Sequence, residues 1–500
     1  MSTFGTYSVA YSGMYTNQAA LTTTSTNLAN VDTTGASKVQ LTSADSSTTQ
    51  SDGTTSVNGV TVETITRSRD IYLDSTYRTE NADSTYLAVK SGNLEYMDTL
   101  LSEYSTTTTD DDGNTTTTDG LEASITDFFS AWETLCTSTT SSSETDRTAV
   151  VTAATDLLSK LVSIDEDLQQ LQADAVTGVQ DGVDSLNDYA GQVAELNAQI
   201  TLAEAGGGEA SYLRDQRDAL LDEMSSLANI TVSEESNGSV TVTIDGETLV
   251  EGDSTNTLTV EGTGTTDDPL KVVWADSDSD NEADITSGSI GAYLEDADQT
   301  GYESIDTSDL PYSFSTDATS SISTMRQAIN DLITTLATEI NSLCTSGVDL
   351  NGDAGLDFFT TIDSSEPLSI TNIQVNPELS DPDKVVTSSS GEDGDYSIAD
   401  AIYDLESDTS CYESEDSALD IIDFYTALTT WLGTEGDTAS SDYETQAALV
   451  SQLDYQRQAV SAISIDEEMS NMIKFQTAYA ASAKVMSTID SMIAGLIDAV

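Results

Sequence analysis

Residues 148–203 read TAVVTAATDLLSKLVSIDEDLQQLQADAVTGVQDGVDSLNDYAGQVAELNAQITLA. Val150, Ala154, Leu157, Leu161, Ile164, Leu168, Leu171 and Ala175 alternate steps of four and three, which puts them on one helical face. The rhythm slips at Val179 and Val183, as in a coiled-coil stutter, and resumes at Leu186, Ala190, Val193, Leu196, Ile200 and Ala203. Unbroken, this helix would be about 85 Å long at ~1.5 Å per residue. That length is unusual in a globular domain and ordinary in a fibrous or filament subunit. Gly206, Gly207 and Gly208 end it. A shorter helix carrying Leu213, Leu220, Met224 and Leu227 follows.

Beyond it the period changes. Val240, Val242 and Ile244 alternate with threonines between Asn237-Gly238 and Asp245-Gly246, a strong hairpin signal. Leu258 with Val260, and Leu270 to Trp274, read as further strands. Helix returns over Ser321 to Leu343, with a heptad through Ile322, Met325, Ile329, Leu332, Leu336 and Ile340. Two helices are expected around Ala418 to Leu432 and Glu444 to Val460, then a final amphipathic helix through Met469, Met472, Ile473, Ala480, Ala483, Met486, Ile489, Ile493 and Leu496. The other end mirrors this: Tyr7, Ala10, Met14, Asn17, Leu21, Thr24 and Leu28 form a seam that needs a partner. Asn30 to Gly35 closes that helix, and Gly35 suits a left-handed cap. Residues 40–59 and 105–119 are rich in Ser, Thr and Asp and read as loop and as a low-complexity surface insertion.

The fold class is therefore mainly α with inserted β domains: paired N- and C-terminal amphipathic helices, a long helical bundle or coiled-coil body, and small antiparallel β domains. Residues 1–104 hold the N-terminal axial helix and an extended segment, 105–119 the insertion, and 120–229 the long-helix body. Residues 230–284 form the inserted β domain, 285–345 the returning helices, 346–400 a small β or irregular domain, 401–463 a helical return, and 464–500 the C-terminal axial helix.

Composition narrows the function. The 500 residues carry 88 Asp and Glu, 15 Lys and Arg, no His, and a formal net charge of −73. Such a surface repels nucleic acid and anionic lipid. Lack of histidine removes Ser–His, Cys–His and His–zinc chemistry. Cys136, Cys344 and Cys411 are too few and too far apart for a disulfide framework or a CxxC metal site. No apolar run is long enough to span a membrane, and the N-terminus lacks the basic and apolar regions of a cleaved signal peptide.

Local motifs add no chemistry. Gly252-Asp253-Ser254 echoes an esterase block, but Ser254 has no base. Asp349, Asn351 and Asp353 match the start of a calcium loop, yet Ala354 and Thr360 stand where glycine and glutamate are needed. Asp276, Asp278 and Asp280 fail likewise, at Asn281 and Ser287. Asp466, Glu467 and Glu468 complement the dipole of the helix they begin. Neither a catalytic group, a cofactor nor a metal site is expected.

The blocks together resemble the flagellar rod and hook axial proteins. The N-terminal block Ala19 to Ser37, with Leu28-Ala29-Asn30-Val31-Asp32 and Gly35, is similar to the signature of that family. It has Thr34, Ala36 and Lys38 where the family usually has Pro, Tyr and Arg. Ser464 to Met469 and Phe475 to Val485 resemble the family's ending. Phe128 to Leu135, Leu213 to Glu223, and Gly347 to Gly352 with Phe358-Phe359 resemble the hook-associated protein 1 branch in particular. The resemblance implies a non-enzymatic structural subunit of the hook–filament junction, outside the cell on the bacterial flagellum. It implies export through the flagellar type III apparatus on an uncleaved segment, and a homo-oligomeric ring between the hook protein and the adjacent junction protein, hook-associated protein 3. A cytoplasmic export chaperone would hold the C-terminal helix. The assembly residues on the axial helices would be Met14, Leu21, Leu28, Asn30, Gly35, Met469, Ile473, Phe475, Tyr479, Ile489, Ile493 and Leu496. Rival readings are weaker. Another axial subunit would not need the long helix, an acidic adhesin would not need amphipathic ends, and a wall hydrolase would need a carboxylate pair in a cleft.

Overall fold

A computed structural model describes residues 3–49, 55–101, 106–109, 115–118, 120–138, 144–266, 268–275, 282–299, 312–313, 320–392, 394–414 and 417–497. The chain starts with helix α1 (Thr3–Ala29), then a hairpin of β1 (Val39–Thr49) and β2 (Thr55–Arg67), and helix α2 (Ile71–Leu101). Strands β3 (Thr106–Thr109) and β4 (Thr115–Thr118) pair with each other and lead into α3 (Leu121–Thr137). Helix α4 (Glu144–Glu204) is continuous over 61 residues, so the stutter bends no break into it. At the stutter a second helix crosses instead. A Cβ on Gly178 would lie 2.7 Å from the Tyr293 ring, and one on Gly182 2.7 Å from Ile290. The small residues that interrupt the heptad thus let α6 (Gly288–Ala297) approach.

Helix α5 (Ser211–Leu227) returns along α4 and feeds a β unit. There β5 (Ile230–Glu234), β6 (Val240–Ile244), β7 (Glu247–Glu251) and β8 (Ser254–Thr255) form one antiparallel sheet, and β9 (Leu258–Glu261) pairs with β10 (Lys271–Trp274). Asp245 and Gly246 take positive φ at the β6–β7 turn, as the Asp-Gly signal requires. After α6 come β11 (Tyr312–Ser313) and α7 (Ser321–Ser346), whose Ser320 side chain caps the Ser323 N–H. An irregular stretch holds the β12–β13 pair (Phe359–Thr360, Gln374–Val375) and α8 (Ser397–Asp404). Strands β14 (Tyr412–Ser414) and β15 (Ser417–Leu419) precede α9 (Ile421–Ser461) and α10 (Ile465–Ile497).

Two cores result. One joins the first half of α4 to α3, α7, α8 and the start of α9. Its centre stacks Trp132 against Phe358, with ring centroids 5.6 Å apart, which explains why two aromatic blocks so distant in sequence occur together. The other joins the second half of α4 to α5, α6 and the β unit. Among the described residues, none before Leu94 or after Ala439 belongs to either core.

Three expectations are corrected. Residues 40–59 are not loop where described: β1 and β2 pair antiparallel from Val39↔Arg67 to Thr49↔Thr55. Threonine fits a pleated strand as well as valine does, so the polar composition did not forbid it. The two helices expected around 418–432 and 444–460 are one, α9, which begins at Ile421 after β15 and runs through Gly433 and Gly436, held by packing on α2. A division at residue 400 falls inside α8.

Asp331 on α7 is buried and its carboxylate accepts a 2.7 Å bond from Gln327. Burial pushes its carboxyl up to about 7, against the weaker pull of Gln327. The folded state therefore holds this proton more tightly than the unfolded state does. Its contribution is full below the unfolded value near ~3.9 and is lost as pH rises towards neutrality. Asp331→Asn is expected to raise stability at pH ~8 by on the order of 2–4 kcal/mol and to change little at pH ~4. Thermal melts of both proteins at the two pH values check this.

Candidate assembly site

Helix α1 contains no Asp, Glu, Lys or Arg along its 27 residues. It packs on α10 and on the β1–β2 hairpin. Its most buried stripe is small and polar: Ala10, Thr16, Ala20, Thr24 and Asn27. The Asn27 side chain donates to Val39 O at 2.9 Å and accepts from Val39 N at 3.0 Å, clasping the start of β1. Ser12 Oγ accepts from Val60 N at 3.1 Å, and the Ser12 hydroxyl comes so close that Gly59, at φ +133°, has no room for a Cβ. The heptad seam included Ala10 and Thr24 but missed Ser12, Thr16, Ala20 and Asn27. Their signal was the spacing of small side chains, which allows close backbone approach.

The residues expected to drive assembly divide. Met14, Leu21 and Leu28 are half-buried on α1. Asn30 closes the helix, with its N–H bonded to Thr26 O, whereas Gly35 is not the helix cap: its φ of +79° serves the separate Thr33–Ala36 turn, in which Ala36 N–H bonds Thr33 O. On α10, Phe475, Tyr479 and Ile493 are half-buried and Ile489 is buried. Met469 and Ile473 instead face outward, 52% and 64% exposed. The Leu496 side chain lies outside the described residues.

A second apolar face is thus left open. Tyr7, Tyr11 and Tyr15 line one side of α1, and Met469, Ile473, Val485 and Met492 are exposed on α10. The body from α4 to α8 exposes few large apolar side chains: Leu202, Tyr212, Leu350 and Ile362. Burial inside the subunit is slight in return. Ala10 and Ala20 on α1 and Ile489 on α10 are their buried apolar side chains among the described residues. At about 1.5–3 kcal/mol for a fully buried large side chain, these and the half-buried Met14, Leu21, Leu28, Phe475, Tyr479 and Ile493 hold the pair together while leaving much of its apolar surface unburied.

The segments flanking the axial pair, the end of β2, the start of α2 and the end of α9, meet the body through charge. Asp215, Asp218 and Asp222 occupy one stripe of α5, while Arg217, Leu221 and Met224 face the core side. Arg67 reaches Glu209 at 3.0 Å, Asp215 at 2.8 Å and Asp218 at 2.7 Å. Arg78 bonds Asp222 at 2.8 Å, and Arg69 bonds Asp74 at 3.2 Å. Arg457 from α9 spans Asp74 at 2.7 Å and Asp222 at 2.6 Å, with its guanidinium 4.0 Å from the Tyr77 ring centroid. Ser37, at the end of the N-terminal signature, gives both its N–H and its hydroxyl to Asp215. Burial pushes the Asp218 carboxyl up, but Arg67, Arg78 and Arg69 outweigh it and hold it below the ordinary range. The Leu213 to Glu223 block therefore carries a joint that sequence reading missed, because its partners lie up to 235 residues away.

Asp349 is spent on its own turn, accepting the N–H groups of Asn351 and Asp353. No helix among the described residues is long and apolar enough to cross a membrane.

Helices from both chain ends, paired outside the cores and bearing open apolar faces, are the architecture of a structural subunit of a larger assembly. Comparison gives the particular family. The flagellar hook-associated protein FlgK helical domain matches residues 108–359, just over half of the chain. A flagella basal body rod protein family matches residues 8–36, and the flagellar basal body rod FlgEFG protein C-terminal family matches residues 456–499. The chain belongs to the flagellar hook-associated protein FlgK family, a family of structural proteins of the bacterial flagellum. It is 28% identical to flagellar hook-associated protein 1 of Bacillus subtilis, over 98% of this chain and 97% of that one. It is 24% identical to the protein of the same name in Escherichia coli, over 98% of each. Its fold is similar to that of the flagellar hook junction protein FlgK from Burkholderia pseudomallei, with a TM-score of 0.58 and 14% identity, covering 78% of this chain and all of the other.

Proposed function

We propose that this chain is a non-enzymatic subunit of the junction between hook and filament, forming a ring of copies through α1 and α10. The observation that carries this reading is the open apolar face on a helix pair that lies outside both cores. Packing of neighbouring copies would cover that face and supply the burial the isolated pair lacks. The hook protein on one side and the adjacent junction protein, hook-associated protein 3, on the other are the proposed axial partners. Before assembly the chain travels through the flagellar type III apparatus on an uncleaved N-terminal segment, and a cytoplasmic chaperone covers the apolar face of α10.

In the free subunit the outer turns of α1 and most of α10 open readily. Limited proteolysis is expected to trim them first and to leave the 128–343 body as a stable fragment. Equal resistance of the ends and the body would contradict ordering on assembly.

A further inference from the structure

The assembly reading leaves open how the axial pair is held at a fixed angle on the body. Among the described residues, neither core includes a residue of β2, the start of α2 or the end of α9, and arginines and carboxylates fill the space between these segments and α5. All eight arginines of the chain are turned inward, and four of them meet here, facing Asp74, Glu209, Asp215, Asp218 and Asp222. Arg67, Arg69 and Arg78 come from the N-terminal part of the chain, Asp215, Asp218 and Asp222 from α5, Glu209 from the turn before it, and Arg457 from the end of α9.

We propose that Arg457 is the positioning residue of an electrostatic latch that fixes the axial helices on the body once the C-terminal part of the chain has docked. This rests on the assembly role of α1 and α10. Arg457 is 9% exposed at its side chain and bonds two carboxylates, each of which also serves another arginine. Without it, three guanidiniums face five carboxylates, and Asp74 and Asp222 keep unmatched charge where water is largely excluded. A guanidinium spanning two carboxylates admits one geometry, whereas apolar surfaces can slide. The same end of α9 holds both neighbours of the joint. Ser461 O accepts from Lys38 N at 2.8 Å, Lys38 O accepts from Ser68 N at 2.8 Å, and the Lys38 ammonium bonds Glu467 at 2.9 Å. Displacing Arg457 therefore loosens the base of the β1–β2 hairpin as well as the entry to α10.

Hydrogen exchange on the full chain tests this with R457Q, R457K and the triple variant R457Q/D74N/D222N. R457Q is expected to speed exchange at the hairpin base (residues 39–46 and 59–67) and at residues 455–461 by roughly tenfold or more, with α4 unchanged. The triple variant, which removes the stranded charges, should regain most of the protection, and R457K should fall between. Wild-type exchange at the hairpin base in R457Q would overturn the latch. An equal rise in α4 would make Arg457 a general stabiliser, and a triple variant no better than R457Q would make its role one of packing; either result overturns the proposal. The readout uses the free subunit, so it is separate from any failure of the assembly reading, which would show as normal swimming by cells whose chain lacks α10.

Discussion

The isolated subunit is expected to melt at a temperature that climbs with sodium chloride. With all eight arginines turned inward, and Lys38 and Lys90 engaged with Glu467 and Glu295, few cations remain on a surface that bears most of the 88 carboxylates. Lys271 is the only basic residue between Arg217 and Arg326. Folding holds these carboxylates close together and unfolding separates them, so repulsion favours the unfolded chain. The Debye length is about 30 Å at ~0.01 M salt, about 10 Å at ~0.1 M and about 3 Å at ~1 M, so the repulsion fades across this range. The buried joint is screened far less, and its attractions persist as the surface repulsion disappears. A gain of a few kcal/mol corresponds to a rise of roughly 5–10 °C for a body of this size. Sulfate strengthens apolar burial by exclusion from the protein surface, so the chloride series below ~0.5 M is the informative one. A melting temperature flat across that series would mean that the carboxylates are too dispersed to matter.

Removal of Met469–Val500 is expected to abolish swimming while leaving a folded, soluble chain. Among the described residues, none of those deleted belongs to either core, and the truncated chain keeps Arg457 and Glu467. Its body should keep helical circular dichroism and melt within a few degrees of the intact chain, since distant and independent regions contribute additively. What is lost is the partner of α1 and the open face bearing Met469, Ile473, Val485 and Met492. Cells producing this truncation should release the chain into the medium and carry hooks without filaments. Normal swimming would exclude the assembly role of α10.

Much of the body was legible because its periodicity and its burial coincide. The heptads of α4 and α7 are buried along nearly their whole length, so apolar spacing described them directly. Elements whose inner faces are not apolar were hidden. Helix α2 went unread because its buried positions begin Asp74, Arg78 and Ala82, a pattern without a hydrophobic period. The β1–β2 hairpin went unread because β1 is mostly Ser, Thr and Asp, which hid the strand signal of Val57, Val60, Val62 and Ile65 on β2. On α1 the apolar seam was visible, but the bonds to the hairpin belong to Ser12 and Asn27, polar residues whose role depends on the strands beside them. The charged joint could not be read at all. Asp215, Asp218 and Asp222 look like an ordinary solvated helix face until tertiary structure brings Arg67 and Arg457 to them.

The open face of the axial pair is the centre of this account, and cross-linking in assembled flagella tests it most directly. Single cysteines would replace Tyr15 or Ile473, 61% and 64% exposed, with Leu202, 80% exposed on the body, as the control position. The native cysteines include two that are buried, Cys344 and Cys411, so the chain without added cysteine sets the background. With a short bismaleimide on purified hook–filament junctions, the account predicts cross-links between copies of this chain from Tyr15→Cys and Ile473→Cys, and background levels from Leu202→Cys. Efficient cross-linking from Leu202→Cys, with none from the two axial positions, would contradict it.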